Sequence, residues 1–169
     1  MTSAVFAGSF DPVSIGHAEM VRRLSHIFDR VYFLLAINAE KTAFFTVEER
    51  LEMMRLAVTG LQNVVVDYTP GYVYRYAQEH GAAVLARGVR NAEDYAYERI
   101  MAENNRGWAP KLETVYLMCD PAYAEVSSSA IRAALREGGD LTPYLGESVA
   151  AYLASIPDFD QRRREIGKQ

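Results

Sequence analysis

Residues 4–24 read AVFAGSFDPVSIGHAEMVRRL, and this stretch decides the fold. A short apolar run, residues 4–7, leads into a glycine turn, and the apolar residues after the turn recur at helical spacing. The segment therefore predicts a strand, a turn and a helix, with His17 at the start of the helix. Gly8 and Gly16 let backbone amides approach an anion closely, and a helix N-terminus attracts negative charge. We therefore expect a phosphate-binding site here, at which His17 donates a hydrogen bond rather than acts as a base.

Apolar segments of alternating type continue along the rest of the chain. The expected strands are residues 4–7, 31–37, 64–68, 83–87 and 114–119, and the expected helices are residues 17–28, 47–60, 72–80, 92–106, 127–137 and 145–156. Strands separated by helices predict an α/β fold, with a Rossmann-like, doubly wound, parallel five-stranded sheet and C-terminal helices. We expect one domain over residues 1–156. The polar tail, residues 157–169, is expected to be a solvated extension. Its basic run is expected to be surface charge rather than a targeting signal, since it is short and flanked by acidic residues.

Composition narrows the class of protein. A net charge of −4 argues against broad nucleic-acid binding, so an anionic ligand would need locally concentrated cations. No apolar run approaches the roughly 20 residues of a membrane helix, and no signal peptide is evident. The single cysteine, Cys119, excludes an internal disulfide and fits a reducing compartment. These features predict a cytoplasmic protein without a nucleic-acid or membrane partner.

Four loops are expected at the edge of the sheet where ligands bind, beyond the carboxyl ends of the strands. They contain residues 8–10, 38–41, 87–90 and 120–129. In the third loop, Arg87 and Arg90 can each bind phosphate through paired hydrogen bonds. In the fourth, three serines at a helix start can cap amides or join them in binding a phosphate.

The same residues also have purely structural interpretations. His17 can satisfy a backbone group at the helix start, Lys41 can be a solvated loop residue, and Glu98 can be an ordinary exposed carboxylate. For His17, convergence of the glycine turn and the other motifs at one sheet edge favours the functional interpretation. For Lys41 and Glu98 the residues alone favour the structural interpretation. The sequence has no Ser/His/Asp arrangement, no Cys/His metal set and no Walker pattern, which disfavours hydrolysis, protein-bound zinc and a P-loop kinase.

Five segments resemble longer motifs. Residues 14–17 resemble (Thr/His)-x-Gly-His, residues 8–12 resemble Gly-Thr-Phe-Asp-Pro with Ser9 in place of the threonine, and residues 41–50 fit Lys-x-x-x-Phe-Thr-x-Glu-Glu-Arg. Residues 87–98 resemble Arg-Gly-Leu-Arg…Asp-Phe-x-Tyr-Glu, and residues 126–131 resemble Ile-Ser-Ser-Ser-x-(Val/Ile). Over residues 4–153 the chain resembles the bacterial phosphopantetheine adenylyltransferase family of the nucleotidylyltransferase superfamily.

The resemblance implies transfer of the adenylyl group of ATP to 4′-phosphopantetheine, giving dephospho-CoA and pyrophosphate. It implies catalytic roles for His17, Lys41 and Arg90, and substrate binding by Ser9, Lys41, Val73 and Arg87. It assigns ATP binding to Ser9, Phe10, His17, Gly88, Val89, Arg90, Glu98, Tyr123, Ala124, Glu125, Val126, Ser127, Ser128 and Ser129. It further implies Mg²⁺ held largely by phosphates and water, a homohexamer, and feedback inhibition by coenzyme A.

Some positions depart from the family pattern around the expected acceptor pocket. They are Tyr72, Arg75, Asn104 and Glu125. Two alternatives therefore stay open: adenylyl or cytidylyl transfer to another phosphorylated acceptor, such as nicotinate mononucleotide, and a nucleotide sensor without turnover. Intact His17, Lys41 and Arg90 disfavour the sensor.

Overall fold

A computed structural model describes residues 1–165 of the chain. Its strands are β1 (Ser3–Gly8), β2 (Arg30–Ala36), β3 (Val64–Thr69), β4 (Val84–Val89) and β5 (Glu113–Met118). They form one parallel sheet in the order β3-β2-β1-β4-β5. This order confirms the predicted doubly wound α/β class. β4 extends two residues beyond the expected strand because Gly88 and Val89 pair with Leu117 and Met118 of β5.

The helices are α1 (Ile15–Ile27), α2 (Val47–Ala57), α3 (Val73–Glu79), α4 (Ala92–Trp108), α5 (Ser128–Glu137), α6 (Thr142–Leu145), α7 (Glu147–Ser155) and α8 (Phe159–Glu165), with a 3₁₀ turn at Pro121–Tyr123. The helix predicted over residues 145–156 is confirmed as α7, which begins two residues later and ends one residue earlier, whereas the short helix α6 before it was not predicted. Gly146, with φ +79° and ψ 161°, interrupts the helical backbone and separates α6 from α7. Within the described range, no helix combines the length and apolar character needed to cross a membrane.

The central strand β1 is buried on both faces. Ala4 and Phe6 join the larger core, to which α1, α2, α5 and α7 contribute, whereas Val5 and Ala7 join a smaller core with α3. Successive side chains of a strand point to opposite faces, so a strand covered by helices on both sides reads as a continuous apolar run. This places the end of β1 in the interior of the molecule.

The expectation of a solvated C-terminal extension is wrong for residues 159–165. These residues form α8, in which Phe159 stacks on Phe45 with ring centroids 6.4 Å apart and Arg162 forms an ion pair with Glu49. The partners lie more than a hundred positions earlier in the chain, so no local pattern indicates them. Residues 166–169 of the predicted tail lie outside the described residues.

Candidate active site

A cavity of about 650 Å³ opens at the carboxyl ends of β1 and β4, where the strand order reverses. We call it the central cavity. Most residues singled out from the sequence line it, from all but one of the predicted loops. They are Ser9, Phe10, His17, Arg87, Gly88, Arg90, Glu98, Tyr123, Val126, Ser127, Ser128 and Ser129.

The turn after β1 needs a glycine at its first position. A Cβ on Gly8 would lie 2.9 Å from the ring of Phe10, closer than real side chains approach. The Phe10 ring is fixed in turn by Phe33, with centroids 4.7 Å apart, and by the edge of His17 at 5.0 Å. The glycine thus lets the turn fold tightly over the core and brings Ser9 to the cavity.

His17 stands in the first turn of α1 with a defined tautomer. The Ser14 amide donates to its Nδ1 at 3.0 Å, and Ser14 Oγ lies 2.9 Å from the same atom. Because an amide can only donate, Nδ1 is the acceptor and the ring proton sits on Nε2. Desolvation, with a smaller contribution from the positive charge of Arg90, lowers the pKa of His17 to about 4. Near pH 7 this side chain is therefore a neutral hydrogen-bond donor.

Arg87 is fixed before any ligand binds. Its Nε and Nη2 donate to the two carboxylate oxygens of Glu98, at 2.7 and 2.5 Å, and its Nη1 donates to the Ala7 carbonyl at 2.9 Å. Glu98 is buried, so the interpretation as an ordinary exposed carboxylate is wrong. Two of the five guanidinium N–H groups stay available to an anion. Direct contact of Glu98 with ATP stays a prediction, since here both of its oxygens orient Arg87.

Arg90 lies at the mouth of the central cavity. Its Nε donates to Asp94 Oδ2 at 2.7 Å and its Nη2 to Oδ1 at 3.2 Å. This hydrogen-bonded pair raises the pKa of Arg90 and lowers the pKa of Asp94. The pair holds the guanidinium where it can still donate its other N–H groups to a phosphate.

The serine run begins α5 beside the same cavity. Ser127 caps the helix, since its Oγ accepts the Ala130 amide at 3.1 Å. The amides of Ser128 and Ser129 stand at the start of the helix, where no preceding turn supplies acceptors. The N-terminus of α1 lines the cavity as well, through Ser14 and Gly16. Two helix N-termini that meet at one cavity make it an anion site.

Lys41 does not line the central cavity. It lines a second cavity of about 700 Å³, here called the loop cavity, whose other cations are Arg50, Arg132 and Arg162. Ser9 lines both cavities and so marks where they adjoin. The predicted meeting of Lys41 and His17 at one reacting phosphorus therefore stays a prediction.

Val73 lines a third cavity of about 280 Å³, which we call the aromatic cavity because Tyr72, Tyr74 and Trp108 contribute to its wall. Arg87 and Glu98 line both this cavity and the central one. A ligand with an elongated arm can therefore have its charged end at Arg87 and its arm among aromatic rings.

Two charged side chains support the turn after β1 in ways that sequence reasoning missed. The Asp11 carboxylate accepts the amides of Phe44 and Phe45, at 2.8 and 2.9 Å. Arg50 is buried, and its Nη1 donates to the Ser9 carbonyl at 3.1 Å. Asp11 and Arg50 are charged positions of the motifs at residues 8–12 and 41–50, and this was the sequence signal that could have indicated their roles.

Among the described residues, no group of three or more His, Cys, Asp or Glu side chains is placed to hold a metal ion. The carboxylates that line the central cavity already have partners: Asp94, Glu98 and Glu19 pair with arginines, and Asp120 accepts the Ala122 amide. These side chains therefore form no cation site of their own, and a divalent cation here would need oxygens from a bound ligand.

Comparison with known proteins assigns the family. The sequence model of the cytidylyltransferase-like family matches residues 5–134. A phosphopantetheine adenylyltransferase from Desulforudis audaxviator is 42% identical over 141 residues, which are 83% of this chain and 86% of that protein. One from Levilactobacillus brevis is 40% identical over 160 residues, 95% of this chain and 99% of that protein. The chain belongs to the phosphopantetheine adenylyltransferase family.

Two solved structures share the fold of this chain. A Vibrio parahaemolyticus protein assigned as a nicotinate-nucleotide adenylyltransferase superposes with a TM-score of 0.69 at 20% identity, covering 95% of this chain and 97% of that one. A lipopolysaccharide core biosynthesis protein from Thermoplasma volcanium superposes with a TM-score of 0.54 at 14% identity, covering 71% and 98%. At these identities the likeness concerns the fold alone.

Three of the residues expected to bind ATP do not line the central cavity. Val89 is buried in β4, where its carbonyl accepts the Cys119 amide at 2.9 Å. Ala124 and Glu125 are exposed beyond the 3₁₀ turn, outside the cavity wall. For these three, side-chain contact with a ligand in the cavity is not supported, because adjacency in a motif does not place every member on the same side of the backbone.

The departures from the family pattern affect the aromatic cavity less than the sequence suggested. Asn105 lines it, whereas Asn104 is exposed. Arg75 stays outside the wall and stacks over Tyr72 and Tyr74, with its guanidinium carbon 5.5 and 5.9 Å from the ring centroids. Of the four positions that depart from the family pattern, Tyr72 lines this cavity, so the departures change its aromatic wall.

Proposed function

We propose that this protein transfers the adenylyl group of ATP to 4′-phosphopantetheine, giving dephospho-CoA and pyrophosphate, a step of coenzyme A biosynthesis. The observation that carries the proposal is the central cavity, where two helix N-termini, two arginines and a neutral histidine donor converge. The identity of about 40% to proteins of this name over nearly the whole chain supports the acceptor.

The reaction needs no nucleophile from the protein. An oxygen of the acceptor phosphate attacks the α-phosphorus, the bond to the bridging oxygen of the β-phosphate breaks, and pyrophosphate leaves. Catalysis then depends on alignment and on stabilising the charge that develops on the α-phosphate oxygens. His17 suits this task as a donor, because its proton sits on Nε2 and its pKa of about 4 keeps it from acting as a base near pH 7.

The leaving pyrophosphate is held on the other side of the cavity. We assign the β- and γ-phosphates to Arg90 and to the start of α5. The amides of Ser128 and Ser129 and the helix dipole favour anionic charge there. The pairing of Arg90 with Asp94 supports this role, since it fixes the guanidinium at the cavity mouth.

The acceptor is assigned to the central cavity, with its phosphate near Ser9, where the loop cavity adjoins, and its arm directed past Arg87 into the aromatic cavity. Ser9 would orient its phosphate, and Lys41 would approach from the loop cavity to neutralise charge in the pentacoordinate arrangement. The buried cation Arg50 lines the same cavity and favours an anion there. The pantetheine arm would lie in the aromatic cavity against Val73, with Arg87 at its phosphate end.

Mg²⁺ is part of the proposal as a companion of the nucleotide. Phosphate oxygens and water suit its coordination, and the ion would neutralise charge on the triphosphate. Removal of Mg²⁺ with a chelator should therefore abolish turnover, and its return should restore it.

We further propose a homohexamer inhibited by coenzyme A. Exposed apolar side chains along α4, among them Tyr97, Ile100 and Trp108, support association between copies. Sedimentation velocity tests the oligomer, and titration of coenzyme A into the turnover assay tests the inhibition.

The test of the reaction offers the purified protein ATP, Mg²⁺ and separate phosphorylated acceptors, with pyrophosphate release as the readout. Release is expected with 4′-phosphopantetheine. Release with nicotinate mononucleotide but not phosphopantetheine would overturn the acceptor, and ATP binding without release from any acceptor would indicate a sensor.

A further inference from the structure

The C-terminal helix α8 contacts the loop that carries Lys41. Arg162 Nη1 donates to Glu49 Oε1 at 2.6 Å, while its Nη2 donates to Glu49 Oε2 and to the Phe44 carbonyl, each at 3.0 Å. Phe44 lies three residues after Lys41, and Glu49 lies in the first turn of α2. One guanidinium therefore ties the end of the loop to the start of the next helix.

The surroundings of Arg162 distinguish this contact from a surface ion pair. Its guanidinium carbon lies 5.5 Å from the ring centroid of Phe44 and 6.0 Å from that of Phe45, and Phe159 stacks on Phe45. The partly buried carboxylate of Glu49 also accepts the Thr46 amide at 2.9 Å. Hydrogen bonding from Arg162 is the main reason that the pKa of Glu49 is lowered, so the pair is charged.

The same end of the loop is held from the opposite direction. The carboxylate of Asp11, in the turn after β1, accepts the Phe44 amide, so both polar backbone groups of Phe44 are anchored by distant segments. Further up the loop the hydrogen bonds are local, such as that from the Lys41 amide to the Asn38 carbonyl at 3.1 Å. The position of Lys41 thus depends on the anchored end.

We propose that Arg162 is a positioning residue for adenylyl transfer: it fixes the end of loop 38–45 so that Lys41 meets the substrate phosphates. This inference rests on the proposed function, from which Lys41 takes its role. It makes α8 part of the catalytic apparatus, although α8 carries none of the matched motifs.

Hydrogen exchange tests the anchoring without turnover. In Arg162→Gln, amide exchange across residues 41–46 should rise about tenfold, as expected when a charged hydrogen bond that holds a loop is lost. Arg164→Gln, an exposed position on the same helix, is the matched control and should exchange like the wild type. Equal exchange in Arg162→Gln and the wild type would overturn the inference.

Kinetics tests the action through Lys41. Arg162→Gln should lower kcat by about tenfold and leave KM for ATP within about twofold, since a misplaced group affects the reacting geometry. Arg162→Lys should recover part of the loss, because lysine keeps the charge but not the forked geometry. In a Lys41→Ala background, Arg162→Gln should have no further effect. A full additional loss there, or a wild-type kcat in Arg162→Gln, would contradict the inference.

Failure of the inference differs from failure of the proposed function. If the wild type releases no pyrophosphate with phosphopantetheine, the proposed reaction fails, and the exchange comparison still decides whether Arg162 anchors the loop. If the wild type turns over and Arg162→Gln matches it in both measurements, only the positioning role fails.

Discussion

His17→Ala removes the Nε2–H donor from the centre of the cavity and is the most informative single change. Loss of one preorganised donor to a developing oxyanion raises the barrier by about 2.7–4 kcal/mol, which lowers kcat by about 10²–10³. KM for ATP should stay within about threefold, because the arginines and the start of α5 still bind the phosphates. His17→Ala should therefore slow the chemical step much more than it weakens ATP binding.

The structure separates this effect from a loss of folding. In the wild type, Nδ1 of His17 accepts the Ser14 amide, and alanine removes that acceptor. A helix cap of this kind contributes about 1 kcal/mol, which is too little to unfold a domain of this size. Circular dichroism and the urea midpoint should therefore show a folded variant.

Initial rates of pyrophosphate release at saturating ATP and acceptor measure the predicted loss. His26→Ala is the matched control, since His26 is exposed in the last turn of the same helix and does not line the cavity. It should keep the wild-type kcat. A His17→Ala variant that is folded and within about threefold of the wild-type kcat would refute the role of His17 as a transition-state donor.

Three further predictions follow from the geometry. Folding lowers the pKa of His17 from 6.5 to about 4. At pH values between these two, His17 is protonated in the unfolded chain and neutral in the folded chain. His17 therefore lowers the free energy of unfolding by about 3 kcal/mol as pH falls across that window. Between pH 7 and pH 4.5, urea unfolding should show a larger loss of stability in the wild type than in His17→Ala. Equal losses of stability in the two proteins would contradict this prediction. Gly8→Ala places a Cβ 2.9 Å from the packed ring of Phe10 and should lower the free energy of unfolding in urea by about 1–3 kcal/mol. Gly107→Ala, in open space on α4, is the control and should not destabilise the fold. Equal urea midpoints for the two variants would disprove the close packing at Gly8. Glu98→Gln weakens the pair that fixes Arg87 and should raise KM for the acceptor by roughly tenfold, with kcat within about threefold in initial-rate assays; an unchanged KM would exclude the orienting role.

The fold and most of the residues that line the central cavity could be predicted because local patterns specify them. The apolar run of β1 indicates a strand covered on both faces, and parallel strands bring their carboxyl ends to one edge. Ser9, Arg90 and Ser128 are far apart in sequence, yet that rule alone places them together, as the structure does.

Contacts between distant segments could not be predicted in the same way. The burial of Glu98 depends on Arg87, and the ordering of α8 depends on the contact of Arg162 with Glu49. A charged residue looks solvated until its partner is known, because the pattern within its own segment does not include that partner. The short helix α6 was missed for a different reason, since a segment of four residues is too short to show a helical pattern of apolar positions.

The central claim is that His17 donates Nε2–H to the α-phosphate of an ATP whose outer phosphates lie at the start of α5. A crystal structure with Mg²⁺ and an ATP analogue that cannot be cleaved between the α- and β-phosphates tests this directly. We predict Nε2 at about 3 Å from an α-phosphate oxygen, with the β- or γ-phosphate on the Ser128 and Ser129 amides. A nucleotide bound in the central cavity with His17 facing no phosphate oxygen would contradict it.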